Sequence, residues 1–87
     1  MTPEQIRAAL VEEIVNIAPD IDLTAVRDDD HMQEDLELDS MDFLNLVSAI
    51  QKRFGVSVPE RDYPDLATPG TAVAYIVKAI GDGKQAR

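Results

Sequence analysis

Ile6, Leu10, Ile14 and Ile17 recur at spacings of four, four and three, which places them on one face of a helix. Thr2-Pro3-Glu4-Gln5 precedes that stripe, with Thr2 suited to N-cap, Pro3 to the first helical position and Gln5 to closing a capping box. A first helix is therefore predicted to about Ile17, where Pro19 discourages continuation. A second stripe of Phe43, Leu46, Val47, Ile50 and Phe54 follows Asp39 or Ser40 as cap and stops at Gly55. Thr68-Pro69 repeats the start signal for a last helix, in which Val73, Ile76, Val77 and Ile80 fall at i, i+3, i+4 and i+7 before Gly81.

The stretches between these helices carry weaker patterns. From Pro19 to Asp39, turn formers and acids alternate with Ile21, Leu23, Val26, Met32, Leu36 and Leu38 at neither helical nor strand spacing. This reads as a long ordered loop, pinned to the helices at several points because structureless loops of this length are uncommon in compact domains. Val56-Ser57-Val58 is strand-like, but Pro59 follows at once and no partner strand is evident, so an extended connector is expected. Between Pro59 and Leu66, Pro64 leaves room for only a short or irregular third helix. The expected fold is all-α: one four-helix domain over residues 1–81, with a long loop between helices 1 and 2 and a short third helix. Residues 82–87 have no apolar anchor beyond Ala86 and are expected to fray.

Composition narrows the function. A chain of 87 residues buries only about 60–65% of its unfolded surface, which leaves little room for an enclosed active site. Aromatics are 5% of the chain, so the core rests on aliphatic packing. A formal charge of −9 with no basic run disfavours nucleic acid and anionic membranes and favours a basic protein partner. No segment has the pattern of a signal peptide or approaches the roughly 20 apolar residues of a membrane span, so a soluble, unprocessed chain is expected. The absence of cysteine removes disulfides and thiolate chemistry and fits a cytoplasmic location; any thiol must be imported.

Eight acids lie between Asp28 and Asp42 with no Lys or Arg among them. Calcium is the first explanation to test. Aligning Asp28 and Asp30 with an EF-hand puts Gln33 where glycine is required and Asp39 at the final glutamate; starting at Asp20 puts Ala25 and His31 there. Both registers fail, and no metal site is expected. Side-chain catalysis fares no better, since His31 is the lone histidine and a hydrolytic triad needs a base, an orienting group and a substrate pocket. Ser40 remains, as a hydroxyl at a helix start where another enzyme can reach it. Taken alone, such a serine is most simply an N-cap.

Leu36-Glu37-Leu38-Asp39-Ser40-Met41-Asp42 resembles the Asp-Ser-Leu modification motif of acyl carrier proteins. The resemblance extends from about Met32 to Ile80, through Glu34-Asp35-Leu36, Phe54, Val58-Pro59, Glu60, Asp62, Leu66 and Ala72 to Tyr75-Ile76. It implies an acyl-carrier-like bundle and no enzymatic activity. Ser40 would receive 4′-phosphopantetheine from coenzyme A through a magnesium-dependent phosphopantetheinyl transferase, with Asp39 supporting the modification. Acyl intermediates would ride on that arm as thioesters. The exposed face of helix 2, here Met41, Asp42, Leu44 and Ser48, would bind partners, namely acyl-transferring or synthase enzymes with basic docking patches. A sheltered acyl chain would be lined by Val47, Ile50, Val58, Leu66 and Ala72, and a monomer is expected.

Several positions depart from the family pattern. Glu37 stands where many members have glycine, and Asn45, Gln51, Lys52 and Arg53 occupy a part of helix 2 that is acidic in housekeeping fatty-acid carriers. With Pro64 and Pro69, these widen the expected setting from fatty-acid synthesis to a specialised lipid or polyketide-type pathway. An acidic helical adaptor that binds partners without modification is the alternative reading.

Overall fold

The computed structural model describes residues 1–81, and in it three α-helices and two 3-10 segments build the bundle. Helix α1 spans Pro3–Ile17, α2 spans Ser40–Phe54 and α3 spans Pro69–Gly81; 3-10 helices occupy Leu23–Ala25 and Glu60–Leu66. The predicted four-helix order is thus present, with Glu60–Leu66 as the short third helix. Pro64 lies inside that segment, consistent with its tight, irregular form. The tail expected to fray, 82–87, lies outside the described residues.

Helix α1 begins as its sequence dictates. Thr2 accepts from the Gln5 backbone N–H, and the Gln5 side chain accepts from the Thr2 N–H at 2.8 Å, completing the capping box. The end of α2 is equally local, with Gly55 taking φ 66°, a left-handed conformation that glycine adopts without a Cβ penalty. Helix α1 packs against both α3 and α2, and α3 packs against the 3-10 helix Glu60–Leu66. One contiguous core results, in which Ile6, Leu10, Ile14, Leu46, Ile50, Leu66 and Ile76 are inaccessible or nearly so. Each large aliphatic side chain buried this way contributes about 1.5–3 kcal/mol.

The stripe on α3 differs from the one read in the sequence. Pro69, Ala72, Ile76 and Ala79 are buried, Val73 and Ile80 only flank the core, and Val77 is 38% exposed. The buried face thus leads the predicted one by about a residue, because alanines rather than branched side chains fill its inner positions. Hydropathy undervalued small residues that permit close helix approach.

The long loop is ordered by the pins its apolar residues suggested. Val26, Met32 and Leu38 are buried, and Ile21 and Leu36 pack against the core. Hydrogen bonds fix it further: the Met32 N–H donates to the Ala67 carbonyl at 2.8 Å and the Gly70 N–H to the Asp28 carbonyl at 2.9 Å. A Cβ at residue 70 would sit 3.0 Å from that Asp28 oxygen, so the close approach of loop to α3 favours glycine there, and a larger residue would push the loop back by a few tenths of an ångström. Arg7 joins the same junction from α1, donating to the Val26 carbonyl at 2.9 Å and to Asp28 Oδ1 at 2.7 Å. Within the loop, Asp22 caps the short Leu23–Ala25 turn by accepting from the Thr24 hydroxyl and N–H. Those two donors hold the Asp22 carboxyl below its ordinary pKa.

Candidate site at the start of helix α2

The loop delivers the chain to α2 through two local devices. His31 Nδ1 accepts from the N–H groups of Gln33 and Glu34, each at 3.2 Å, while the His31 N–H donates to Asp35 Oδ2 at 2.7 Å. The lone histidine is therefore a turn-forming side chain. Glu37 then takes φ 59°, a left-handed conformation unfavourable to a residue with a Cβ. A glycine at this position would remove that strain.

Asp39 is the N-cap of α2. Its Oδ1 accepts from the Asp42 N–H at 2.8 Å, and Asp42 Oδ2 lies 3.4 Å from the Asp39 N–H it accepts, so the two carboxylates form a reciprocal capping box. Ser40 is then the first residue inside the helix. It is exposed, and because Asp39 supplies the cap, the Ser40 hydroxyl has no hydrogen-bond partner among the described residues. The choice between Asp39 and Ser40 as cap, open in the sequence, falls to Asp39. Ser48 and Ser57 are exposed as well; of the three serines, Ser40 stands at a helix start beside a carboxylate cap.

The outer face of α2 carries the other expected partner residues. Met41 is 66% and Leu44 44% exposed, Ser48 is exposed, and Asp42 is half-buried because its carboxylate serves the cap. The departures in the second half of α2 divide into two groups. Arg53 reaches α1, with Nη2 2.8 Å from Glu12 Oε1 and Nη1 3.8 Å from Glu13 Oε2. Gln51 accepts from the Val58 N–H at 2.9 Å and so fixes the extended connector. Both are structural. Asn45 and Lys52 are exposed and remain on the surface.

On the inner side of the same helix start, Phe43 meets Tyr63 of the 3-10 helix edge-to-face, with ring centroids 6.1 Å apart and planes at 74°. These rings border an apolar cleft of about 330 Å³ whose other lining residues are His31, Met32, Gln33, Pro64 and Ala67. The sequence reading did not mark Tyr63 or this cleft. Its only signal was an aromatic just before Pro64. The 3-10 helix that carries Tyr63 is tied to α3 by the Tyr75 hydroxyl, which donates to Asp62 Oδ2 at 2.7 Å. Partial burial, with that hydrogen bond and the nearby carboxylate charge, pushes the Tyr75 phenol up to about 12. Deeper in, Val47, Ile50, Val58, Leu66 and Ala72 are all buried and belong to one core cluster.

His31 Nδ1 is committed to its turn, and among the described residues no group of three or more His, Cys, Asp or Glu is arranged to hold a metal. No helix is long and apolar enough to cross a membrane. What the helix start offers is an accessible hydroxyl held on ordered backbone.

Comparison with known proteins agrees with that chemistry. The family described as "Phosphopantetheine attachment site" matches residues 5–76. An acyl carrier protein of Kineococcus radiotolerans is 35% identical over 81 residues, covering 93% of this chain and all of that protein. One of Rhodococcus erythropolis is 35% identical over 99% of this chain and 93% of its own length, and one of an Arthrobacter species 37% identical over 87% and 93%. The chain therefore belongs to the acyl carrier protein family, as a non-catalytic carrier whose acyl groups ride on a 4′-phosphopantetheine arm.

Proposed function

We propose that Ser40 is the residue to which the 4′-phosphopantetheine arm is attached. The observation that carries this reading is the division of labour at the start of α2: Asp39 caps the helix, so the Ser40 hydroxyl is exposed and unengaged. The residues fit the group. Free N–H groups in the first turn favour a phosphodiester oxygen, and covalent attachment offsets the repulsion from Glu37, Asp39 and Asp42.

In the loading step, catalysed by a phosphopantetheinyl transferase, Ser40 Oγ would form the new bond to phosphorus as the bond to the 3′,5′-ADP portion of coenzyme A breaks and the serine proton leaves. Asp39 would contribute twice. Its Oδ1 fixes the backbone under Ser40, and its other oxygen, without a hydrogen bond among the described residues, would help position the transferase's magnesium ion and substrate. The arm, once in place, supplies the thiol this chain lacks. Partner enzymes with basic docking patches would then recognise Met41 and Leu44 as an apolar contact, with Ser48 beside them and Asp42 at the acidic end. Any sheltered part of the acyl group would pack against Val47, Ile50, Val58, Leu66 and Ala72.

The exposed Asn45 and Lys52 support a partner set other than one that reads a uniformly acidic helix, in keeping with a specialised lipid or polyketide-type pathway beside fatty-acid synthesis. A monomeric protein acting in the cytoplasm is the setting this reading implies.

Intact mass after incubation with coenzyme A, magnesium and a broad-specificity phosphopantetheinyl transferase tests the proposal. The wild type should gain one phosphopantetheinyl group, or carry it at the outset. Ser40→Ala should gain none while keeping its helical circular dichroism. Gain by a folded Ser40→Ala protein would move the attachment elsewhere. No gain by an arm-free wild type, beside a competent control carrier, would favour the unmodified adaptor.

A further inference from the structure

The geometry points to Phe43 and Tyr63 as a gate that sets which acyl groups reach the interior: short acyl groups stop in the outer cleft, and the buried lining opens only when the ring pair is displaced. This inference rests on Ser40 as the attachment point. Residues three apart on a helix are neighbours, with Cβ atoms about 5–6 Å apart, so Phe43 lies one turn below Ser40 on the way inward along α2. Beyond it on the same helix, Leu46 and Ile50 are fully buried. Across from Phe43, Tyr63 stands on the 3-10 helix Glu60–Leu66, and the next buried residue of that segment is Leu66. The rings meet edge-to-face at 6.1 Å, and both pack against the core. A chain entering the core between these two elements therefore has to part them.

In front of the rings lies the cleft of about 330 Å³, with the buried Met32 in its lining and Pro64 and Ala67 alongside. It is mainly apolar, yet His31 and Gln33 of the loop bring polar groups to it. A few methylenes, or a short acyl group bearing an oxygen, match that mixture. The gate is also braced. Tyr75 holds the 3-10 helix from α3 through Asp62, and the Met32 N–H ties the loop side of the cleft to the Ala67 carbonyl at 2.8 Å. Displacing Tyr63 therefore works against an anchored element, and an edge-to-face pair adds its own attraction beyond area burial.

The test uses wild type, Tyr63→Ala and the more conservative Phe43→Leu, each loaded from butyryl-, hexanoyl- and octanoyl-coenzyme A, with intact mass confirming one acyl-arm per chain. Methyl and aromatic NMR shifts then locate the acyl group. In the wild type, all three chains should shift Met32 and Tyr63 and leave Ile50 and Leu66 unmoved, with a folding equilibrium that does not grow with chain length. In either variant, the octanoyl form should shift Ile50 and Leu66. Each methylene then taken into the core should raise the folding constant by roughly fourfold, the equivalent of about 0.8 kcal/mol per buried CH₂. Movement of Ile50 and Leu66 in the wild type with any of the three chains would overturn the gate, and so would no response of the cleft residues or an octanoyl group that leaves Ile50 and Leu66 unmoved in folded variants. Should a variant fail to fold, the wild-type series decides alone. Absence of any mass gain by an arm-free wild type, beside a competent control carrier, would overturn the attachment at Ser40, and the gate with it.

Discussion

Asp39 and Ser40 split two tasks that a single residue at a helix start often combines. The carboxylate satisfies the backbone of α2, and the hydroxyl is left for the attachment proposed above. Asp39→Ala is therefore expected to lower stability by about 1 kcal/mol, the usual cost of losing an N-cap, as urea denaturation would show. It should also slow modification of a serine that it leaves in place. Glu37 carries the opposite imbalance. At φ 59° its Cβ is strained, so Glu37→Gly should raise the urea midpoint by an amount equivalent to about 0.5–1 kcal/mol; relief of the left-handed penalty outweighs the added freedom of the unfolded chain. An unchanged or lower midpoint would show that Glu37 makes a compensating contribution. The Glu37 departure was visible in the sequence, but the sign of its backbone torsion was not, because torsion is set by how the loop must enter α2.

Among the elements, those with local signals were the legible ones. Capping of α1 by Thr2 and Gln5, the stop of α2 at Gly55 and the shortness of the Pro64 segment each follow from residues adjacent in the chain. Others depended on contacts between distant segments. The Gly70 approach to Asp28, the Arg7 clamp on Val26 and the alanine face of α3 arise only once the helices pack, so hydropathy pointed to Val77 where Ala72 and Ala79 are buried. The 3-10 helix offers a test at this scale through Tyr75. Its phenol has an ordinary pKa of 10.0, raised in the fold to about 12. A group whose folded pKa is raised stabilises fully below its unfolded value and loses that contribution as pH rises through the folded one. The stability advantage of wild type over Tyr75→Phe should thus be constant below about pH 9 and vanish towards pH 12, as parallel thermal melts would reveal. A gap that persisted at pH 12 would remove the Tyr75–Asp62 bond from the account.

Across the whole molecule, charge is the property most easily read and least tied to the fold. With a formal charge of −9 and acids gathered around the start of α2, association with partner enzymes bearing the proposed basic docking patches would be steered at long range. Screening lengths fall from about 10 Å at 0.1 M salt to about 3 Å at 1 M, so the association rate should drop roughly tenfold or more over that range. Stopped-flow mixing at several salt concentrations would measure it, with dissociation changing far less. The carrier role was legible because the motif around Ser40 is a contiguous stretch. The cleft was not, because Phe43 and Tyr63 are brought together by packing rather than by sequence.

The most direct test of the central claim is fragmentation mass spectrometry of the modified protein, which places the added group on one side chain among the exposed Ser40, Ser48 and Ser57. The phosphopantetheinyl mass should map to Ser40 alone. Finding it on Ser48 or Ser57 would contradict the account, because neither stands at a helix start beside a carboxylate cap.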